Sequence, residues 1–175
     1  TGNTLETLRS KNPPSHELSR FVAWSSDGQR LASTFDRGIL VWEAATGEEL
    51  ARLDHNFVKA LAWSPDNQWL ASAGFEIKIW SVTSGKEAAT LPGPTGYGVE
   101  TIAWSPDGGR LISAGGDNVV RFWDPFIRQE IFSLPWHRSG VHAVAWSPDE
   151  RRLAVGCNDG SINIWDATIG YNTAK

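Results

Sequence analysis

Tryptophan recurs in this chain with a period close to 42 residues. Trp24, Trp63, Trp104 and Trp146 stand 39, 41 and 42 residues apart, and a second series, Trp42, Trp80, Trp123 and Trp165, follows each by 17 to 19. Each member of the first series closes a short apolar run and opens a turn. The turns are Ser64-Pro65-Asp66-Asn67, Ser105-Pro106-Asp107-Gly108, Ser147-Pro148-Asp149-Glu150 and, in weaker form, Ser25-Ser26-Asp27-Gly28. Self-similarity at such a period marks a repeat array, in which one small unit buries its faces only against its neighbours. Ten tryptophans in 175 residues serve a repeated packing role.

The turn chemistry sets the local structure. Proline fixes φ at the first central position, aspartate bonds nearby backbone, and Gly or Asn tolerates a positive φ. Runs of four to seven residues joined this tightly pair as antiparallel meanders. Each unit reads as strand, Ser-Pro-Asp turn, strand, acidic turn, strand ending in Trp, turn, and a fourth strand. No segment of useful length has helical period. Runs such as Thr101-Ile102-Ala103-Trp104 are apolar on both faces, so both faces of each sheet are covered. Sheets stacked radially about an axis satisfy this and leave only short edges.

The chain is predicted to be all-β and one unit over residues 1–175. Blade strands are expected over 18–53, 57–91, 99–134 and 141–166. The opening residues Thr4 to Leu8 match the fourth strand of a unit, as in Glu48 to Leu53 or Glu87 to Leu91. The array is therefore cut out of phase, with an outer strand placed first.

Composition excludes several classes. Sixteen basic residues against twenty acidic, with no basic block, argue against nucleic acid. No apolar run is long enough to span a membrane as a helix. A single cysteine, Cys157, forms no internal disulfide framework and fits a reducing, cytoplasmic setting. The chain starts at Thr1 and has no methionine, the pattern of a processed product or excised piece.

These motifs resemble the WD-repeat family of β-propellers over essentially the whole chain. Trp123-Asp124 and Trp165-Asp166 are the namesake dipeptide; Trp42-Glu43 and Trp80-Ser81 depart from it. The resemblance implies a structural hydrogen-bond network in each blade, linking a loop His, a Ser of the second strand, a turn Asp and the Trp of the third. Copy one supplies His16, Ser33, Asp36 and Trp42. Copy two keeps His55, Ser72 and Trp80, with a turn two residues short that offers Glu76. Copy three keeps Ser113, Asp117 and Trp123 but has no His in Gly93 to Gly98. Copy four has His137, Asp159 and Trp165, with Val155 at the serine position. Copies two and three are expected to have looser top-face turns, the top being the end that carries the His loops and acidic turns.

Most members of the family have about seven blades. Four units here fit a half-ring that pairs with a second copy into eight blades, a piece of a longer propeller, or a closed four-blade ring. In the paired ring, residues 4–8 complete the last sheet of the other copy.

The histidines are read first as parts of the repeat network. His142 lies outside that series and is read as a partly exposed packing residue. Four scattered histidines and one cysteine show no zinc spacing, and Ser-Pro-Asp lacks the oxygen-rich spacing of a calcium loop. The glycine-rich stretches lack the Lys-Thr or helix start that cradles phosphate. No catalytic residue, metal or cofactor is assigned. The predicted function is a non-enzymatic protein–protein interaction scaffold. Its alternative is a purely structural half-propeller that assembles into an eight-bladed homodimer without an external ligand. Side chains that break the repeat on the top face are the binding candidates: Tyr97, Phe75, Arg37, Arg138 and Trp136, since aromatics and Arg dominate interface energetics. Phe57 is expected at a blade edge rather than exposed, and Trp69 is expected to fill space at an outer edge.

Overall fold

A computed structural model describes residues 7–8, 19–35, 37–94, 96–134 and 139–168. Its strands form four antiparallel sheets in sequence order. The first holds β1 (Val22–Trp24), β2 (Arg30–Phe35), β3 (Gly38–Glu43) and β4 (Glu49–Asp54). The second holds β5 (Ala60–Trp63), β6 (Trp69–Ala73), β7 (Ile77–Ser81) and β8 (Lys86–Leu91). The third holds β9 (Val99–Trp104), β10 (Leu111–Gly115), β11 (Val120–Asp124) and β12 (Gln129–Leu134). The fourth has three strands, β13 (Val141–Trp146), β14 (Arg152–Cys157) and β15 (Ile162–Asp166). The innermost strands β1, β5, β9 and β13 neighbour one another in that order, so the sheets are blades set around part of an axis.

Strand register explains the 17-to-19-residue offset between the two Trp series. Leu111 pairs with Trp104 on one side and Trp123 on the other. Leu31, Leu70 and Leu153 do the same between Trp24 and Trp42, Trp63 and Trp80, and Trp146 and Trp165. Directly opposed residues of a sheet share a face. Each blade therefore carries a Trp–Leu–Trp row across one face.

The opposite face carries the smaller apolar residues, and the two kinds of face meet between blades. Ala32, Ile39, Val41 and Leu53 of the first blade bury against Trp63, Leu70 and Trp80 of the second. Ala71, Ile77, Ile79 and Leu91 bury against Trp104, Leu111 and Trp123 of the third. Ile112, Val120 and Phe122 bury against Leu153 and Val155, with Trp146 and Trp165 packed alongside. An indole hydrogen bond adds to the first two junctions. Trp63 Nε1 donates to Ala23 O at 2.9 Å, and Trp104 Nε1 donates to Ala62 O at 3.1 Å. At the third, Trp146 Nε1 is buried with no partner among the described residues.

The turns below the blades are self-fastened. Ser105 Oγ donates to Asp107 Oδ1 at 2.5 Å and accepts from Arg110 N at 2.9 Å, while Gly109 N donates to Asp107 Oδ1. Asp27, Asp66 and Asp149 repeat the pattern. The serine hydroxyl and then a backbone N–H hold Asp27 and Asp149 below the usual carboxylate range. Positions Gly28, Asn67, Gly108 and Glu150 all have φ between 59° and 73°. Glu150 adopts it without the freedom of glycine.

Two predicted bounds shift. Among the described residues the first sheet begins at Val22, with 19–21 outside a strand and residue 18 outside the described residues, and the second begins at Ala60 rather than 57. Phe57 has φ 58°, a left-handed conformation that does not propagate a strand. Phe57 is also 70% exposed, which corrects the expectation of a blade-edge position. Trp69 is half-buried and packs edge-on to Phe126, with centroids 5.6 Å apart. Of the predicted closing strand over 4–8, only Thr7 and Leu8 are described, and neither is in a strand.

Candidate functional site

The top face is the end of the sheets that carries the β4–β5, β6–β7, β8–β9 and β10–β11 connections. Beneath it lies the Trp–Ser part of the predicted network. Trp42 Nε1 donates to Ser33 Oγ, Trp80 Nε1 to Ser72 Oγ and Trp123 Nε1 to Ser113 Oγ, each at 2.8 Å and each buried. In the fourth blade Val155 stands opposite Asn163 and offers Trp165 no hydroxyl. Ser113→Ala is expected to destabilise the chain by about 1–3 kcal/mol, since it strands a buried indole N–H. Urea unfolding followed by tryptophan fluorescence measures this directly.

The histidine and aspartate parts are less regular. His55 Nδ1 lies 2.7 Å from Ser72 Oγ, but His55 Nε2 is buried with no partner among the described residues. Burial, followed by the Lys78 cation, lowers the His55 pKa from 6.5 to about 4. Asp117 pairs with Arg121 at 2.6 Å and holds its own turn through Val119 N. Asp159 accepts from Ser161 N and Oγ. His16, Asp36 and His137 lie outside the described residues, as do the binding candidates Trp136 and Arg138.

The remaining top-face candidates are exposed. Phe75 is 63% and Tyr97 55% exposed, and Arg37 is exposed in the β2–β3 turn. The β8–β9 loop braces the turn that carries Phe75. A Cβ on Gly93 would stand 1.8 Å from Phe75 O, so only glycine lets the two backbones approach. Val99 N donates to Gly74 O at 2.8 Å on the same seam. Tyr97 lies over Gly116, where a Cβ would meet its ring at 3.0 Å. Phe57 joins Phe75 edge to face with centroids 5.5 Å apart. Phe57, expected at a blade edge, thus stands with Phe75 on the top face, two residues after His55. His142 is exposed in β13. Among the described residues no three His, Cys, Asp or Glu side chains gather as a metal site would require.

A second exposed apolar surface lies at the two ends of the blade array. Ile162 and Ile164 of β15 are 73% and 68% exposed, whereas their counterparts Ile77, Ile79, Val120 and Phe122 are at most 4% exposed. At the other end Trp24 is 59% and Val22 65% exposed, against 9% and 7% for Trp63 and Trp104. Among the described residues no blade covers the Ile face of the last sheet or the Trp face of the first. Leu8 lines a cleft on this first blade with Val22, Leu31, Leu40 and Trp42.

Comparison with known proteins agrees with this architecture. The family model for "WD domain, G-beta repeat" matches residues 10–43, 47–81, 85–124 and 128–166. Protein HIR1 of Cryptococcus neoformans is 35% identical over 78 residues, covering 42% of this chain and 9% of that protein. Apoptotic protease-activating factor 1 of Homo sapiens is 35% identical over 94 residues, covering 44% of this chain and 8% of that one. A chain in the crystal structure of the Mitotic Checkpoint Complex superposes with a TM-score of 0.76 at 30% identity, covering 85% of this chain and 49% of that one. The structure of U3-55K superposes with a TM-score of 0.79 at 22% identity, covering 90% and 51%, a likeness of fold. The chain thus spans less than a tenth of these two sequence relatives and about half of each solved chain. With four matched repeats over most of its length, each holding the first three strands of one sheet, the chain belongs to the WD-repeat family.

Proposed function

We propose that this half-propeller is a non-enzymatic protein-interaction scaffold and that a second copy of the chain completes its ring. Propellers of this family mediate protein–protein contacts, and one solved relative is a component of a checkpoint complex. The ring-closing part rests on one observation. The two exposed end faces are the two halves of the junction that the chain already makes between its own blades. The Ile162–Ile164 face corresponds to the Ile77–Ile79 face, and the Trp24–Leu31–Trp42 row corresponds to Trp104–Leu111–Trp123.

Leu8 supports the same reading. Leu53 and Leu91 each end a fourth strand and pack into a junction beside the next blade's Trp row. Leu8 lines a cleft with Trp42, the side of the Trp row on which a preceding blade's outer strand would lie. A two-fold axis then generates two identical junctions and eight blades, with no apolar face left open.

Light scattering or native mass spectrometry across concentration tests this. The expected result is a concentration-dependent species of twice the 19.2 kDa chain mass. Ile164→Arg is expected to return it to the single-chain mass, because an unpaired charge in that junction is strongly unfavourable. A single-chain mass at every concentration overturns ring closure by a second copy and leaves the scaffold reading standing. For contact with another protein, the top face is the proposed surface, with Phe75, Tyr97 and Arg37 as its candidate residues.

A further inference from the structure

The top of the second blade holds a group that the fold leaves unfinished. His55 is 5% exposed. Its Nδ1 faces Ser72 Oγ, and that hydroxyl already accepts from Trp80 Nε1. In the tautomer where Ser72 Oγ donates to His55 Nδ1, the imidazole hydrogen is on Nε2. There it finds no acceptor among the described residues. The cause is visible in the sequence. Eight residues separate Ser72 from Trp80, where ten separate Ser113 from Trp123. The shortened turn has lost its aspartate. A buried N–H in this state favours any acceptor that reaches it.

The residues around His55 form a cleft whose lining specifies what it takes. Asp54, Phe57, Phe75, Glu76 and Lys78 line a cleft of about 310 Å³ together with His55. Lys78 Nζ lies 2.7 Å from Glu87 and 3.4 Å from Glu76. Its charge is matched at closer range by Glu87, a residue outside the lining. Asp54 is exposed and Glu76 half-buried, so two carboxylates face one already-paired ammonium and the lining is net negative. The Phe57–Phe75 pair presents two mostly exposed rings beside these carboxylates. The Gly93 contact fixes the Phe75 backbone, so the ring is held on a braced turn.

We propose that this cleft docks a basic peptide segment of a partner protein. A lysine or arginine side chain lies on the Phe57–Phe75 pair between Asp54 and Glu76. Aromatic faces attract cations, most strongly where the contact is partly desolvated. The carboxylates supply the complementary charge and repel an acidic competitor. This proposal rests on the scaffold reading and is independent of ring closure.

The test uses the ¹⁵N-labelled full chain and three acetylated, amidated peptides, Ala-Arg-Ala, Ala-citrulline-Ala and Ala-Glu-Ala. The arginine peptide is expected to shift the amides of residues 54–57 and 74–76 at millimolar concentration. It is also expected to move the His55 imidazole resonances in a long-range spectrum, since His55 lines the cleft. Citrulline and glutamate peptides are expected to bind at least threefold more weakly. Phe75→Ala and Glu76→Gln, both in an exposed turn, are expected to weaken the arginine peptide about threefold to fivefold. Gln68→Ala, exposed in the turn at the opposite end of the blade, is expected to leave it unchanged. An equal response to the glutamate peptide, shifts centred on Tyr97 or the inner strands, or a silent His55 resonance overturns the cleft assignment but not the scaffold. No response from any residue to any peptide overturns the cleft and leaves the scaffold reading standing.

Discussion

Trp104→Ala is expected to lower the free energy of unfolding by about 3–5 kcal/mol, while Trp24→Ala lowers it by less than about 1 kcal/mol. The two tryptophans hold the same place in the repeat. Both end an innermost strand, and each pairs with a leucine, Leu111 or Leu31. What separates them is the preceding blade. Trp104 lies in the junction with the second blade, 7% exposed, and donates to Ala62 O. Truncation there empties a cavity between two sheets and leaves a carbonyl without its donor. Trp24 is packed against no preceding blade among the described residues and is 59% exposed. Both substitutions belong in the Ile164→Arg background, so that only the single chain is measured. A loss near 4 kcal/mol is a large part of an ordinary domain's stability and lowers Tm by about 10 °C at this size. Equal losses for the two variants would show that the blades are not individually stacked as described. In the wild-type background, Trp24→Ala is expected instead to weaken association.

Stability is expected to fall as the pH drops from about 6.5 to about 4, by roughly 3 kcal/mol in total, and His55→Gln is expected to remove most of this dependence. The sign follows from burial. The folded chain keeps His55 neutral down to a pKa of about 4, against an ordinary 6.5. Above the ordinary value both states are neutral and the group contributes nothing. Below it the unfolded chain takes up a proton that the folded chain refuses, so unfolding gains. The penalty is complete once the folded group also titrates. Lys78 reinforces the shift, while Glu76 and Glu87 oppose it without reversing it. Carboxylates act in a different window. Asp27, Asp149, Asp166 and Glu87 are all held below ordinary values of 3.8 or 4.5, so their contribution is lost only as the pH falls below about those values. Urea midpoints from pH 7.5 to 4 for both proteins separate the two effects. A wild-type curve as flat as that of His55→Gln would remove the buried neutral histidine from the account.

The repeat was legible because its chemistry is local. Serine, proline and aspartate two or three residues apart make a turn wherever they occur. A Trp–Leu–Trp row follows from strand length and register. The short second-blade turn was legible too, and with it the absence of an aspartate for His55. Exposure was harder to read. Nothing in Val22-Ala23-Trp24 distinguishes its burial from that of Leu61-Ala62-Trp63, because the covering surface belongs to another blade. Ile162 and Ile164 were invisible as surface residues for the same reason. Phe57 failed differently. An apolar residue before a strand was read as part of it, whereas its backbone turns left-handed and sends the ring outward. Such a conformation is set by how the loop closes between β4 and β5, which a propensity argument does not contain.

The self-fastened Ser–Asp turns bear on how the chain reaches its native state. Every described strand pairing joins neighbours in sequence, and each first hairpin brings its own hydroxyl, carboxylate and amide to the bend. Little loop entropy is lost before such contacts form. A single blade can therefore assemble early and wait for the next as the polypeptide lengthens. The junctions form later and one at a time, each against a sheet already in place, as in other nearest-neighbour arrays. Folding then proceeds as growth from a seed, and any of the four blades can be the seed.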